Sequence, residues 1–298
     1  MGILDGRVAV ITGAGGGLGR EHALLFAAEG AKVVVNDLTG AKDVVEEIEQ
    51  AGGKAVAVEG SVAEMSVGEE LISTAVDAFG DLHVVVNNAG VIRDAMLWNM
   101  TEDQFDTVTS VHLKGAFSVA SPAARYWRAQ SKKGETTDRS LINTSSGSGV
   151  YGNAGQWNYS AAKAGLAIQA VVGAAELGRY GARANAICPV ARTTPVIATP
   201  GLGEAVRAPE NPDEFDRYHP KHIAPLVSYL ASAGCPFTGQ AFTVYGGHVG
   251  LLTGWAHGHA IDAEFQWTPQ QLAEEMGADS FPKSIPVNRN RIKRVGAA

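Results

Sequence analysis

The sequence is short of cysteine, of long apolar runs and of positive charge, and each shortage removes a class of function. Cys188 and Cys235 are its only cysteines in 298 residues. They have neither the spacing of a disulfide framework nor that of a zinc site, so both read as small apolar core residues in a reducing compartment. The first apolar run, inside MGILDGRVAVITG, is about five residues long and has no basic flank, which suits a strand and neither a signal peptide nor a membrane span. The last residues, Val295-Gly296-Ala297-Ala298, lack a Ser-Lys-Leu type of address, and a cytoplasmic protein is expected. A formal net charge of −7 speaks against a nucleic-acid or membrane-surface binder, which leaves a small molecule as the expected partner. His248, His257 and His259 have no cysteine partner and no helical two-histidine motif, so no metal is expected.

What is plentiful is glycine, at 36 residues, without the period of a collagen or a low-complexity linker. Most glycines fall between alternating strand and helix patterns. That alternation predicts one α/β domain, a doubly wound parallel sheet of Rossmann type over about residues 1–250. Residues 195–218, rich in proline, glycine and charge, read as a lid, and 251–298 as a C-terminal extension. In the extension Thr268-Pro269 opens a helix from Gln270 to Met276, and Arg289, Arg291, Lys293 and Arg294 read as a solvated end.

The first strand, Arg7 to Ile11, runs into Thr12-Gly13-Ala14-Gly15-Gly16-Gly17-Leu18-Gly19, then a helix through Ala28 that stops at Gly30. A glycine turn between strand and helix lets backbone amides and the positive helix end approach a pyrophosphate. The second strand, Lys32 to Val35, is followed by Asn36-Asp37. An acid at that distance can accept from ribose hydroxyls and repels a 2′-phosphate, so Asp37 favours NAD over NADP. Further on come a helix from Ala41 to Ala51, a strand from Ala55 to Val58 with Ser61-Val62 after it, a helix from Ser66 to Phe79, and a strand from His83 to Val86 ending in Asn87-Asn88-Ala89-Gly90. A long helix is expected from Thr101 to about Gln130, an exposed loop from Ser131 to Arg139, and a fifth strand around Leu141-Ile142. Beyond the helix that starts at Trp157 lie strand six, Arg183 to Ile187, a helix from Lys221 to Ala231, and strand seven, Ala241 to Val244, which completes the sheet.

Between strand five and strand six stand Ser146, Tyr159 and Lys163. A helix from Trp157, stopping at Gly178, puts Tyr159 and Lys163 four residues apart on one face. A phenol titrates near pH ~10, and a neighbouring ammonium favours its phenolate, so the pair reads as a general acid–base with Tyr159 lowered toward neutrality. Ser146, at the end of the fifth strand, can hydrogen-bond the reacting oxygen. The chemistry that fits is hydride transfer at a secondary alcohol or ketone.

Taken together, Thr-Gly-x-x-x-Gly-x-Gly, Asn-Asn-Ala-Gly and the order Ser, Tyr, Lys resemble the short-chain dehydrogenase/reductase family over about residues 5–250. The resemblance implies cofactor contacts at Thr12, Gly13, Gly17, Leu18 and Gly19, adenine contact at Ser61 and Val62, and a cofactor ribose beside Asn88, Ala89 and Gly90. It also implies nicotinamide contact from Pro189 and from Thr193 or Thr194, and ribose contact by Tyr159 and Lys163. Gly16 and Leu38 stand where NADP-preferring relatives carry a basic residue. His112 takes the place of the asparagine that completes a catalytic tetrad in most relatives. The strings VVVND, VHLKG and YGNAGQWNYSAAK resemble, more narrowly, the (3R)-hydroxyacyl-CoA dehydrogenase branch found in peroxisomal multifunctional enzymes type 2, also described as type 4 17β-hydroxysteroid dehydrogenases. That branch implies an acyl-CoA thioester or a steroid as substrate, and the helices around 104–130 and 158–178 imply a homodimer or homotetramer. Other readings are a dehydrogenase of other secondary alcohols and a non-catalytic dinucleotide-binding sensor.

Overall fold

The computed structural model describes residues 2–135, 137–197, 202–211, 213–254, 260–264 and 266–277. Its sheet has eight strands in the order β3-β2-β1-β4-β5-β6-β7-β8. They are β1 (Val8–Thr12), β2 (Lys32–Asp37), β3 (Lys54–Glu59), β4 (Val84–Asn87), β5 (Arg139–Thr144), β6 (Ala182–Pro189), β7 (Ala241–Tyr245) and β8 (His248–Leu252). The first seven run parallel and β8 is antiparallel to β7. Helices α1 (Gly17–Ala28), α2 (Ala41–Gln50), α3 (Met65–Phe79), α4 (Glu102–Thr109), α5 (Gly115–Lys132), α6 (Gly147–Tyr151) and α7 (Trp157–Leu177) alternate with the first six strands. After β6 come α8 (Thr194–Ile197), α9 (Leu202–Ala205) and α10 (Ala224–Ala231), and after β8 comes α11 (Pro269–Gly277).

The central strands are valine-rich runs buried end to end, as strands covered on both faces must be. Successive side chains of β1 go to opposite faces: Ala9 and Ile11 join Phe26, Val33, Ile142 and Leu230 in one core, and Val8 and Val10 join Leu71, Val85, Trp127 and Leu141 in the other. Each such side chain contributes about 1.5–3 kcal/mol by leaving water, which is why two continuous cores can hold one sheet rigid. Strand order reverses at β1, between its neighbours β2 and β4, so a crevice opens at the carboxyl ends of β1 and β4.

Three expectations need correction. Strand seven does not complete the sheet: Tyr245 pairs with His248 across Gly246-Gly247, a two-residue hairpin in which Gly246 has φ +49°, and β8 follows. The helix carrying Tyr159 ends at Leu177 with Gly178 as its C-cap, as expected, and a single 3₁₀ turn, Gly178–Tyr180, leads on to Gly181, whose φ is +77°. The long helix from Thr101 is interrupted by a π turn over Ser110–Lys114. Arg139 is not on an exposed loop but is buried in β5, because its guanidinium meets the Asp81 carboxylate at 2.9 Å and donates to the Leu82 carbonyl.

Met1–Leu252 form one compact unit and Thr253–Ala298 another. In the second, Thr268 caps α11 by accepting from the Gln271 amide at 3.2 Å. His257, His259 and the basic residues Arg289, Arg291, Lys293 and Arg294 lie outside the described residues. Among the described residues no helix is long and apolar enough to cross a membrane.

Three histidines tie stability to pH. His22 is fully buried on α1 with neither ring nitrogen partnered, and burial pushes it down to about 3. Burial likewise takes His83 to about 4 and His112 to about 3. Their folded values lie below the unfolded one of about 6.5, so the unfolded chain binds more protons between those limits, and stability is complete above pH ~6.5 and lost as pH falls. The melting temperature should drop between pH 7 and pH 5, and less steeply in His22→Leu. Equal slopes for the two proteins would contradict this account of His22.

Candidate active site

The crevice is built first by the turn after β1. The Thr12 hydroxyl accepts from the backbone amides of Asn88 and Ala89 at 3.0 and 3.1 Å and donates to the Val86 carbonyl. In return Asn88 Nδ2 donates to the Thr12 and Gly13 carbonyls at 3.0 and 3.1 Å. The ends of β1 and β4 are thereby stitched together. Gly13 makes the approach possible: its φ is +63°, and a Cβ there would lie 2.6 Å from Ala89 Cα.

The start of α1 fits a dinucleotide pyrophosphate. Its N-cap, Gly16, offers no side-chain acceptor, and its first turn holds no acid. A Cβ on Gly16 would meet nothing within 4 Å, and one on Gly17 nothing nearer than Thr193 Cγ2 at 3.9 Å. Open space therefore stands over uncapped amides at the positive end of a helix. Leu18 packs partly against the core and Gly19 is buried behind the turn. Asp37, at the end of β2, accepts from the Gly15 amide at 2.9 Å and the Leu38 amide at 2.7 Å. It does not cap α2, whose N-cap is Gly40.

Other residues singled out in the sequence lie around this crevice. Ser61 turns its hydroxyl back to the Ala63 amide at 3.3 Å, and buried Val62 offers its carbonyl to the Ser118 hydroxyl. Pro189 closes β6 in register with Val244. Thr193 faces the glycine turn through its methyl group, whereas the side chain of Thr194, at the start of α8, lies outside the described residues.

Ser146, Tyr159 and Lys163 meet at the end of β5. Ser146 is extended and caps α6, its hydroxyl accepting from the Ser148 amide at 3.2 Å. Lys163 is buried, and its Nζ donates to the Thr144 carbonyl at 2.6 Å while standing 5.4 Å from the Tyr159 ring centre. The Ser145 hydroxyl donates to the Lys163 carbonyl at 2.7 Å, pinning α7 to the strand end. The expected lowering of Tyr159 is reversed: burial pushes the phenol up to about 12, outweighing its hydrogen bond with Ser146, and burial takes Lys163 down to about 7. An ammonium that loses its proton near neutrality offers little charge to a phenolate. It offers instead a base matched to relaying a proton.

His112 sits in the π turn, edge-on to Tyr159 with ring centres 5.2 Å apart, and its Nε2 lies 2.8 Å from the Val91 carbonyl and 3.2 Å from its amide. Gly90 leaves the room, since a Cβ there would be 2.4 Å from His112 Cε1. Burial, then Lys163, keeps His112 neutral, so it does not exchange protons at neutrality.

Asn87 opens the Asn-Asn-Ala-Gly read in the sequence, whereas no motif there marks its partner Asn143 or the nearby Cys188. Asn87 and Asn143 are register partners on β4 and β5; Asn87 Nδ2 donates to Asn143 Oδ1 at 3.0 Å, and Asn143 Nδ2 to the Leu166 carbonyl at 3.1 Å. The signal available was an asparagine closing each of two adjacent apolar strands. Cys188, expected as an apolar core residue, is buried beside Ser145, Ser146 and Lys163; burial raises its thiol, and the Ser145 hydrogen bond and Lys163 oppose.

Known proteins resemble this chain in sequence and in fold. Over 280 residues the chain is 44% identical to the hydroxyacyl-CoA dehydrogenase ChsB1 of Mycobacterium tuberculosis, covering 90% of this chain and 87% of that one. It is 44% identical over 264 residues to peroxisomal multifunctional enzyme type 2 of Drosophila melanogaster, covering 85% of this chain but 40% of the longer protein. The structure of a short chain dehydrogenase from Mycobacterium avium superposes with a TM-score of 0.86 at 46% identity, covering 96% of this chain and 99% of that one. Residues 7–201 match the family model described as short chain dehydrogenase, and this chain is thus a member of the short-chain dehydrogenase/reductase family, an oxidoreductase acting on CH–OH groups.

Proposed function

We propose that the chain is an NAD-dependent dehydrogenase that interconverts a 3-hydroxyacyl-CoA and its 3-ketoacyl-CoA in fatty-acid or sterol side-chain degradation. The observation that carries the chemistry is the meeting of Ser146, Tyr159 and Lys163 beside the crevice at the end of β1. The choice of thioester is supported by the names of the similar proteins, a hydroxyacyl-CoA dehydrogenase and a peroxisomal multifunctional enzyme.

Thr12, Gly13, Gly17, Leu18 and Gly19 would hold the pyrophosphate, Asp37 the adenosine ribose, and Ser61 and Val62 the adenine. Asn88, Ala89 and Gly90, with Tyr159 and Lys163, would hold the nicotinamide ribose, and Pro189, Thr193 and Thr194 the nicotinamide. When bound there, NAD would supply the hydride acceptor for the carbinol carbon. The chain's residues do the rest. Ser146 and Tyr159 hold the substrate hydroxyl; the Tyr159 phenol, protonated at rest, gives up its own proton toward the neutral Lys163 amine as it takes the substrate's while the carbonyl forms, and Lys163, titrating near neutrality, passes the proton on to solvent. Packing of Tyr159 against His112 fixes the phenol's direction.

A cytoplasmic homodimer or homotetramer completes the reading. Its support is the apolar surface of α5 and α7, where Phe117, Ile168, Val171 and Val172 are each about half exposed. Light scattering at micromolar concentration should give two or four chains, and a monomer would end the proposal.

Purified protein offered acetoacetyl-CoA, a longer 3-ketoacyl-CoA and a 17-ketosteroid should oxidise NADH fastest with the thioesters. Steroid turnover alone would move the substrate to that class. In Tyr159→Phe, kcat should fall about 10³-fold with the nucleotide still bound; full activity there would take the acid–base role from Tyr159, whereas nucleotide binding without turnover in the unaltered protein would leave a non-catalytic dinucleotide sensor as the better reading. NADH should outperform NADPH. Asp37→Asn, which keeps the acceptor for Gly15 but loses the charge, should raise the KM for NADH about tenfold and narrow that preference. NADPH preference in the unaltered protein would overturn the role of Asp37.

A further inference from the structure

Gln156 is the N-cap of α7, three residues ahead of Tyr159, and only 3% of it is exposed. Its side-chain amide is engaged at both ends. Nε2 donates to Asp94 Oδ2 at 2.9 Å, while Oε1 accepts from the Ser148 hydroxyl at 2.8 Å and from Asn153 Nδ2 at 3.1 Å. Its backbone forms a parallel bridge with Ala95, whose amide donates to the Gly155 carbonyl at 2.9 Å. Ser148, in turn, donates its amide to the Ser146 hydroxyl. One side chain therefore connects three parts of the site: the segment after Gly90, the helix capped by Ser146, and the helix bearing Tyr159.

The segment Val91 to Ala95 is held at two more points. His112 meets Val91, and Asn158, fully buried, donates to the carbonyls of Arg93 at 3.0 Å and Gln104 at 2.9 Å. Gln156 differs from these in reaching on to Ser148. The chemistry also selects the residue type. The group must donate to a carboxylate and accept from a hydroxyl at the same time, which an amide does and an ionised carboxylate cannot.

We infer that Gln156 is a positioning residue of the reaction, its amide bridging Asp94 to Ser148 so that Ser146 and Tyr159 are held at one spacing about the reacting oxygen. The inference rests on Ser146 and Tyr159 being the reacting pair. It accounts for a buried polar side chain at a helix start that the proton-transfer steps themselves do not use, and it makes Asp94 and Gln156 a matched pair.

The test exchanges the partners' roles. At pH 8, with NADH and acetoacetyl-CoA, the full chain is compared with Asp94→Asn, Gln156→Glu and the double variant. Gln156→Glu sets two carboxylates against each other and should lower kcat about 10–100-fold. Asp94→Asn should stay within about threefold, because its amide can still face Gln156. In the double variant the amide now at position 94 donates to the carboxylate now at position 156, which still accepts from Ser148 and Asn153, and kcat should return to within about fivefold of the unaltered chain. Should Gln156→Glu fail to fold, soluble recovery and turnover of the double variant are the same rescue. Undiminished kcat in Gln156→Glu, or a double variant no better than Gln156→Glu, overturns the positioning role while leaving the dehydrogenase reading intact. No turnover by the unaltered chain with any carbonyl substrate sinks that reading, and the positioning role with it.

Discussion

Burial of the Lys163 ammonium is the constraint on which the rest of the site depends. An amine cannot leave water without a partner, and here the partner is the Thr144 carbonyl at the end of β5. That bond fixes how far α7 advances along the sheet, and the Ser145 hydroxyl and the Asn143 amide hold the same helix at Lys163 and Leu166. Small residues permit the approach: a Cβ on Gly173 would already be 3.0 Å from that of Ala184 on β6. Helix geometry then sets Tyr159 one turn before Lys163, over the strand end where Ser146 leaves the sheet, and His112 packs edge-on against its ring.

The same burial decides the electrostatics. Desolvation penalises every charge in this pocket, so the phenol rises, the amine falls and His112 stays neutral. At rest the site holds a proton that Lys163 gains and loses near neutrality. A pair that looks in the sequence like a cation stabilising an anion is instead a weak acid beside an amine that exchanges protons near neutrality. Sequence spacing reports that two groups are adjacent; it carries no information on how much water surrounds them, and that is what sets the sign.

Much of the fold was legible for local reasons. Valine runs bounded by glycine and asparagine identify strands buried on both faces, and βα alternation admits few topologies besides a parallel sheet. Thr12, Gly13 and Asn88 are visible as turn residues, and the stitching between them follows from strand order. Arg139 departs from expectation because a guanidinium at the end of a hydrophilic stretch looks solvated until Asp81, far off in sequence, is found against it. The hairpin before β8 has a local signal, Gly246-Gly247, but only the pairing of Val249 and Leu251 with β7 shows that a strand follows it.

Residue type and short spacing carry the family resemblance, the alternation of the first seven strands with helices, and a serine, a tyrosine and a lysine suited to one chemistry. Only the tertiary structure decided what those groups are able to do. It buried Lys163, raised Tyr159, turned Cys188 and His112 into neighbours of the reacting pair, and joined Asp94 to Ser148 through Gln156. Each of these depends on desolvation or on contacts between residues distant in the chain, and neither is written in local order.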